Sequence, residues 1–332
     1  MDGLKLMVTG GTGSFGNAFC RHVLDTYSPE RLIVYSRDEF KQYQMAERFA
    51  HDPRLRFFIG DVRDRDRLAR AMKDVDIVFH AAAMKQVVAS EYNPNECLHT
   101  NIHGAQNIID AAIDLGVSKV VALSTDKAVK PVNLYGSSKA CAEKLFTAAN
   151  HLAGADGPRF CSVRYGNVIG SRGSVIPLFR EQAKTGKVTI THKDMTRYWL
   201  RIEDGVEFVA NCASFMHGGE VFVLKVPSMR VVDLAEVLAP DCTHTYIGIR
   251  PGEKLHEAMV SHEEAANTLE YEDFYVITPM IQMWGAPSYG SYLGQAGKSV
   301  AEGFSYSSDN NSVWLDQDDL LKLVSQTDVV HG

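Results

Sequence analysis

Tyr135 and Lys139 stand four residues apart in Tyr135-Gly136-Ser137-Ser138-Lys139. On a helix that spacing puts both side chains on one face, a turn apart. An ammonium beside a phenol favours the phenolate, lowering a pKa that is normally about 10. Such a tyrosine can take a proton from a substrate hydroxyl while hydride leaves the same carbon. A hydride needs an acceptor, and the chain start offers it a seat. The run Thr9-Gly10-Gly11-Thr12-Gly13-Ser14-Phe15-Gly16 has glycines at positions 10, 13 and 16. The first permits a tight turn, the second lets backbone approach a pyrophosphate, and the third allows close helix–strand packing. A helix opening there offers unpaired N–H groups and partial positive charge to phosphates.

Other strand ends carry matching residues. The second strand ends in Ser36-Arg37-Asp38, with Lys41 one turn on. A dinucleotide site for NAD usually has an acid here for the ribose hydroxyls. A serine does not repel a 2′-phosphate, and a guanidinium binds one through paired donors. Arg37 and Lys41 therefore favour NADP over NAD, and Asp38 weighs slightly the other way. Gly60-Asp61-Val62 follows the third strand, where Asp61 can accept from an adenine amino group while Val62 packs on the ring. The competing role for Asp61 is a cap on the helix that starts near Asp64. Ala81-Ala82-Ala83 ends the fourth strand, and small side chains there let a cofactor lie near the backbone.

These residues need strands that end together. Apolar runs at Leu4–Val8, Arg31–Tyr35, Leu55–Ile59, Val75–Phe79, Val117–Ser124 and Phe160–Arg164 read as six strands. Helical patterns separate them, from about Ser14, from about Glu39, from Pro94 to Leu115 and from Tyr135 to His151. The alternation predicts an α/β fold, a Rossmann-type doubly wound parallel sheet with ligands at the carboxyl ends of its strands. Beyond Gly166 the pattern loosens. Gly166, Gly170 and Gly173, with Ser171 and Ser174, read as a loop, as do residues 285–303 with five glycines. Val231–Leu238 reads as a helix stopped by Pro240. The expected division is a cofactor domain at 1–168, taking in about 200–224. A smaller interleaved substrate region, 169–199 and 225–332, supplies part of the sheet edge.

The chain has 332 residues, enough for two domains and a core that needs no metal or disulfide. Its 34 basic and 41 acidic residues give a net charge of −7, a poor balance for nucleic-acid or anionic-membrane binding. No apolar run is long enough to span a bilayer, and with a strand-length apolar run after an acidic residue at the start, no signal peptide is expected. Cys20, Cys97, Cys141, Cys161, Cys212 and Cys242 are scattered, as expected of reduced thiols in a cytoplasmic protein. Gly297-Lys298-Ser299 lacks the upstream glycine of a phosphate loop, since Tyr292 stands there. Glu257, His256 and His262 lack metalloprotease spacing, and no metal site is expected.

Taken together, these residues resemble the extended short-chain dehydrogenase/reductase superfamily over nearly the whole chain. Within it the sequence is similar to the soluble inverting nucleotide-sugar 4,6-dehydratases that act on UDP-N-acetylglucosamine in pseudaminic acid biosynthesis. The resemblance is carried by residues 10–16, 34–39, 56–64, 80–85, 123–127, 164–168, 170–175, 195–197 and 250–257. Thr125-Asp126-Lys127 discriminates: retaining dehydratases carry Thr-Asp-Glu there, and simple 4-epimerases need no such pair. Gln86 and Val88 depart from the family's usual Lys-His-Val-Pro.

The resemblance implies a tightly bound NADP recycled within each turnover. It implies cofactor contacts from Gly10, Gly13, Ser14, Phe15, Gly16, Arg37, Asp38, Lys41, Asp61, Val62, Ala81, Lys85, Leu123, Ser124, Tyr135, Lys139 and Val168. It gives catalytic roles to Tyr135, assisted by Thr125 and Lys139, to Lys127 as base at C5 and to Asp126 as acid toward the C6 hydroxyl. Lys127 must then be partly neutral, and burial with Lys139 and the oxidised nicotinamide nearby is expected to depress it. Lys85, Asn167, Val175, Arg197, Arg250 and Glu253 are the implied UDP-sugar contacts. A homo-oligomer, dimer or hexamer, built on the long helices is also implied.

Overall fold

The computed structural model describes residues 1–169, 175–281 and 289–329. The expected loop residues Gly170, Ser171, Gly173 and Ser174, and positions 285–288 of the later one, lie outside the described residues.

The chain opens with β1 (Lys5–Thr9), α1 (Ser14–Thr26), β2 (Arg31–Ser36), α2 (Glu39–Arg48), β3 (Leu55–Ile59), α3 (Arg65–Met72) and β4 (Ile77–His80). After α4 (Val87–Tyr92), α5 (Pro94–Leu98) and α6 (Gly104–Leu115) come β5 (Lys119–Leu123), α7 (Leu134–Ala153) and β6 (Arg159–Arg164). From one edge the strands run β3-β2-β1-β4-β5-β6, all parallel. Successive side chains of a strand face opposite sides. Leu6 and Val8 thus pack toward α1, with Phe19 and Val23, while Met7 packs toward α3, α6 and α7, with Leu68, Ile108 and Phe146. Burial on both faces explains why these strands read as continuous apolar runs rather than alternating ones.

The expected Pro94–Leu115 helix is divided. A π-helical turn at His99–His103 separates α5 from α6. Buried Asn101 lies in that turn, and its amide holds Met84 by bonds of 2.8 and 2.9 Å to the backbone. Single π turns of this kind cluster at functional sites.

The rest of the chain adds β7 (Asn167–Val168), α8 (Val175–Ala183), β8 (Lys187–Ile190), β9 (Thr196–Leu200), α9 (Ile202–Phe215), β10 (Val221–Leu224), β11 (Ser228–Arg230) and α10 (Val231–Leu238). It continues with β12 (Thr243–Tyr246), β13 (Ala258–Val260), β14 (Thr268–Glu270) and β15 (Phe274–Ile277). Strand β10 joins the main sheet parallel to β6, and β15, β14 and Lys298–Ser299 extend it antiparallel. Residues on α9, including Val206 and Val209, share the core of α1. A second, smaller core gathers Phe179, Ile190, Trp199, Met229, Leu234 and Leu320 around β8, β9 and α10. Among the described residues no helix is long and apolar enough to cross a membrane. All six cysteines are free thiols.

Candidate active site

The glycine turn is built as its spacing requires. Gly10 has φ +66°, and a Cβ on it would lie 2.9 Å from the Ala82 backbone. A Cβ on Gly16 would collide with Gly11. The Thr9 hydroxyl accepts from Ala82 N at 3.2 Å and hydrogen-bonds His80 Nδ1 at 2.8 Å. Burial, and Lys139 nearby, push His80 down to about 3 and keep it neutral. Gly13 is the N-cap of α1 and makes no side-chain cap bond, so the first N–H groups of that helix are left for an anion. Phe15 stacks on Tyr165, centroids 6.4 Å apart. This cradle fits a dinucleotide's phosphates.

At the next strand ends Ser36 is buried and its hydroxyl accepts from Gln42 at 3.0 Å. Arg37 is exposed, with its guanidinium 3.6 Å from Asp61. Asp38 caps α2 and pairs with Lys41 at 3.0 Å, so its charge is neutralised in place. Asp61 is not the helix cap: Asp64 caps α3. Instead Asp61 accepts from the Arg63 backbone and side chain at 2.7–3.0 Å. Val62 is buried beneath Gly104.

The end of β5 holds a cluster of titratable groups. Thr125 caps a single 3-10 turn, Asp126–Ala128, accepting from Lys127 N at 3.3 Å. Asp126 is therefore not that turn's cap. It is 1% exposed, and its Oδ1 accepts from the Thr125 hydroxyl at 2.8 Å and from Lys127 Nζ at 3.1 Å. Its Oδ2 is buried with no hydrogen-bond partner. Asn133 caps α7 by accepting from Gly136 N at 2.8 Å. Gly136 lets that helix lie against the turn, since a Cβ there would collide with the Lys127 carbonyl oxygen. Tyr135, Lys139 and Glu143 then share one face of α7. The Tyr135 phenol lies in the same cluster, close enough for Thr125, Asp126 and Lys127 to act on its proton affinity.

The charges differ from expectation in two respects. Burial alone would push Lys127 down, but the carboxylates of Asp126 and Glu257 outweigh it and hold the ammonium above the usual lysine range. The expected depression of Lys127 is absent because two carboxylates, rather than Lys139, are its near neighbours. Burial pushes the Tyr135 phenol up, and the cation that opposes this is Lys127. Lys139 is itself lowered to about 8 by burial, with Glu143 acting against that.

The C-terminal region closes over this turn. Arg197, from β9, is buried and donates to the carbonyls of Thr196 at 2.6 Å and of Leu255 and Lys254 at 3.0 Å. Lys254 Nζ donates to Val129 O at 2.6 Å, and Asn133 to Gly252 O at 2.8 Å. These bonds fasten residues 250–257 onto the loop before α7. They bring in Glu257, whose Oε1 is 3.5 Å from Lys127 Nζ and whose Oε2 has no hydrogen-bond partner. Glu257 is a member of the cluster that spacing did not single out, because its partner lies 130 residues away. Arg250 is exposed and paired to Glu253 at 2.5 Å, leaving Glu253 Oε2 without a hydrogen-bond partner. Asn167 and Val168 are half-buried and pair with Trp199 and Leu200. Val175 opens α8, and Lys85 is exposed just before α4. Leu123 and Ser124 are buried, and the Ser124 hydroxyl donates to Glu143 at 2.5 Å.

A glycine turn at β1, a Tyr-x-x-x-Lys face after β5 and a sheet extended by the C-terminal half define an extended short-chain dehydrogenase/reductase. Comparison with known proteins agrees. The model of the family described as polysaccharide biosynthesis protein matches residues 6–279. A Campylobacter jejuni protein named UDP-N-acetylglucosamine 4,6-dehydratase (inverting) is 52% identical over 328 residues, 98% of each chain. A Rickettsia conorii protein named UDP-glucose 4-epimerase is 42% identical, covering 98% of this chain and 96% of its own. The X-ray structure of Pen from Bacillus thuringiensis superposes with a TM-score of 0.88 at 36% identity, covering 99% and 98% of the two chains. A double mutant of DesIV, a dTDP-glucose 4,6-dehydratase from Streptomyces venezuelae solved with NAD, gives 0.68 at 25% identity, covering 76% and 87%. The chain belongs to the polysaccharide biosynthesis protein family of extended short-chain dehydrogenase/reductases. Within it, it is a nucleotide-sugar 4,6-dehydratase, a hydro-lyase.

Proposed function

We propose that the protein converts UDP-N-acetylglucosamine to UDP-2-acetamido-2,6-dideoxy-β-L-arabino-hex-4-ulose, with inversion at C5. The observation that carries this reading is the ion pair between buried Asp126 and half-buried Lys127, beside Tyr135. A nicotinamide, when bound over the glycine turn, supplies hydride acceptance from C4 and its return to C6. The chain's side chains do the rest. Tyr135, with Thr125 beside it, takes the proton of the C4 hydroxyl. The resulting ketone acidifies the proton on C5. Elimination needs a neutral amine at Lys127 and a protonated carboxyl at Asp126. The pair at 3.1 Å is one proton transfer away from that state: an N–H bond of Lys127 breaks and an O–H bond of Asp126 forms. A sugar ring that displaces water over the pair favours this neutral form, because burial penalises charge. Lys127 then takes the C5 proton, and Asp126 gives its own to the C6 oxygen, which leaves as water. Both groups return to the ion pair seen in the structure. As hydride returns to C6, C5 takes a proton from solvent on the opposite face, and Tyr135 gives up the proton it took from the C4 hydroxyl, which closes the balance.

NADP is the cofactor this reading favours, held at its 2′-phosphate by Arg37 with Lys41 beyond. Ser36 brings no negative charge to that end, and Asp38 is already paired. Arg197, Arg250 and Glu253 surround the UDP, with Lys85, Asn167 and Val175 toward the sugar. The protein works in the cytoplasm as a homo-oligomer packed on α6 and α7, and its product feeds pseudaminic acid or a related glycan, including flagellin glycans. The test is product NMR after turnover in deuterated water. The expected product has lost one water and carries deuterium at an inverted C5. The relatives named 4-epimerase favour a second reading, and a product of unchanged mass would establish it over the first.

A further inference from the structure

We propose that Glu257 is a positioning residue that holds the shared proton on the Asp126–Lys127 pair and aims Lys127 Nζ. The inference rests on the dehydratase reading and adds a third group to it. The elimination works only while the pair holds one proton in total. With two, no base is free; with none, no acid is free. Something must keep that single proton on the pair at neutral pH, although the site is buried and other cations face it.

The groups around Lys127 come from four elements. Asp126 lies on the same turn. Tyr135 faces it from α7, and Arg197, from β9, acts on it as a like charge. Glu257, immediately before β13, is 3% exposed and places Oε1 3.5 Å from Nζ. Its other oxygen is 3.6 Å from Lys254 Nζ and makes no hydrogen bond. A carboxylate at that distance favours the ammonium and raises the pH at which the proton leaves. It also gives Nζ a second carboxylate within ion-pair distance, besides Asp126 at 3.1 Å. Glu257 has its main-chain N–H on the Ser308 hydroxyl at 3.0 Å, so the backbone that carries it is held from the C-terminal side. Lys254 shares the carboxylate and tempers its pull on Lys127.

Two substitutions with opposite expected signs test this. Glu257→Gln keeps the shape and removes the charge. The alkaline limb of the kcat–pH profile is expected to move down by about one unit or more, the usual effect of losing a nearby opposite charge. Lys254→Met removes the carboxylate's other cation while Arg197 and Asn133 still fasten the loop, so the limb is expected to move up. The pH dependence of Lys127 labelling by an amine-specific reagent, read by peptide mass spectrometry, should move in the same two directions in the folded holoenzyme. That second readout holds for a variant too slow for kinetics, and Lys254→Met carries the test if Glu257→Gln fails to fold. Lower activity with the limbs and labelling unmoved would overturn the assignment and leave Glu257 as packing. Wild-type enzyme that leaves C5 unexchanged in deuterated water would refute the dehydratase reading itself, a result distinct from unmoved limbs.

Discussion

Two ionic clusters flank β5 and β6, one buried around Arg164 and one partly open around Lys127, and they are finished differently. Around Arg164 every carboxylate oxygen is used. Its guanidinium donates to Glu143 at 2.8 and 2.6 Å and to Glu264 at 3.0 and 2.7 Å, and a further bond at 2.9 Å goes to Met259 O. Ser124 completes Glu143. Around Lys127, Asp126 Oδ2 and Glu257 Oε2 are buried and make no hydrogen bond. Both clusters join the Rossmann half to residues 257–264. A saturated network in low dielectric fixes geometry, whereas an incomplete one is costly to keep and marks a place where a ligand or a proton completes it. The first reads as scaffold and the second as chemistry.

The largest effect that could break this contrast is at Lys127. Lys127→Ala is expected to lower kcat by about a thousandfold, within the usual range for a general base, and to abolish C5 exchange. Normal exchange in the variant would refute the assignment. With Asp126→Asn, a C6-fluoro substrate, whose leaving group needs little acid help, should recover much of the lost rate. Arg164→Met probes the other cluster. It strands two carboxylates, and urea denaturation should show a loss of about 3–5 kcal/mol. Unchanged stability would erase the distinction between the clusters.

Smaller effects sharpen the cofactor side. Gly10→Ala places a Cβ at positive φ against Ala82, with an expected cost of about 1–2 kcal/mol and weaker cofactor retention. Equilibrium unfolding and bound-nucleotide content measure both. Arg37→Ala should shift the preference from NADP toward NAD by about tenfold, the worth of a bond to a charged group. Equal losses for the two cofactors would show that Arg37 does not read the 2′-phosphate.

Much of this was legible in residue order. The glycine spacing, the strand ends and Tyr135-x-x-x-Lys139 are local, so sheet and cofactor turn follow from propensity and period. The helix from Pro94 to Leu115 was legible as a length, while its π turn was not, because that turn accompanies Asn101 reaching Met84. The cap near Asp61 shows the same limit: two aspartates three residues apart satisfy the same pattern, and only geometry assigns the cap to Asp64.

The sequence by itself determined which chemical groups are present and the parallel sheet that gathers them at its strand ends. Its net charge of −7 carries no information about where single cations sit. Only the tertiary structure decided the charge of Lys127. Arg197 and Lys254 fasten a distant loop over the β5 turn and bring Glu257 against it. A lysine's proton affinity depends on the few ångströms around Nζ, and those are filled from parts of the chain that no spacing rule connects.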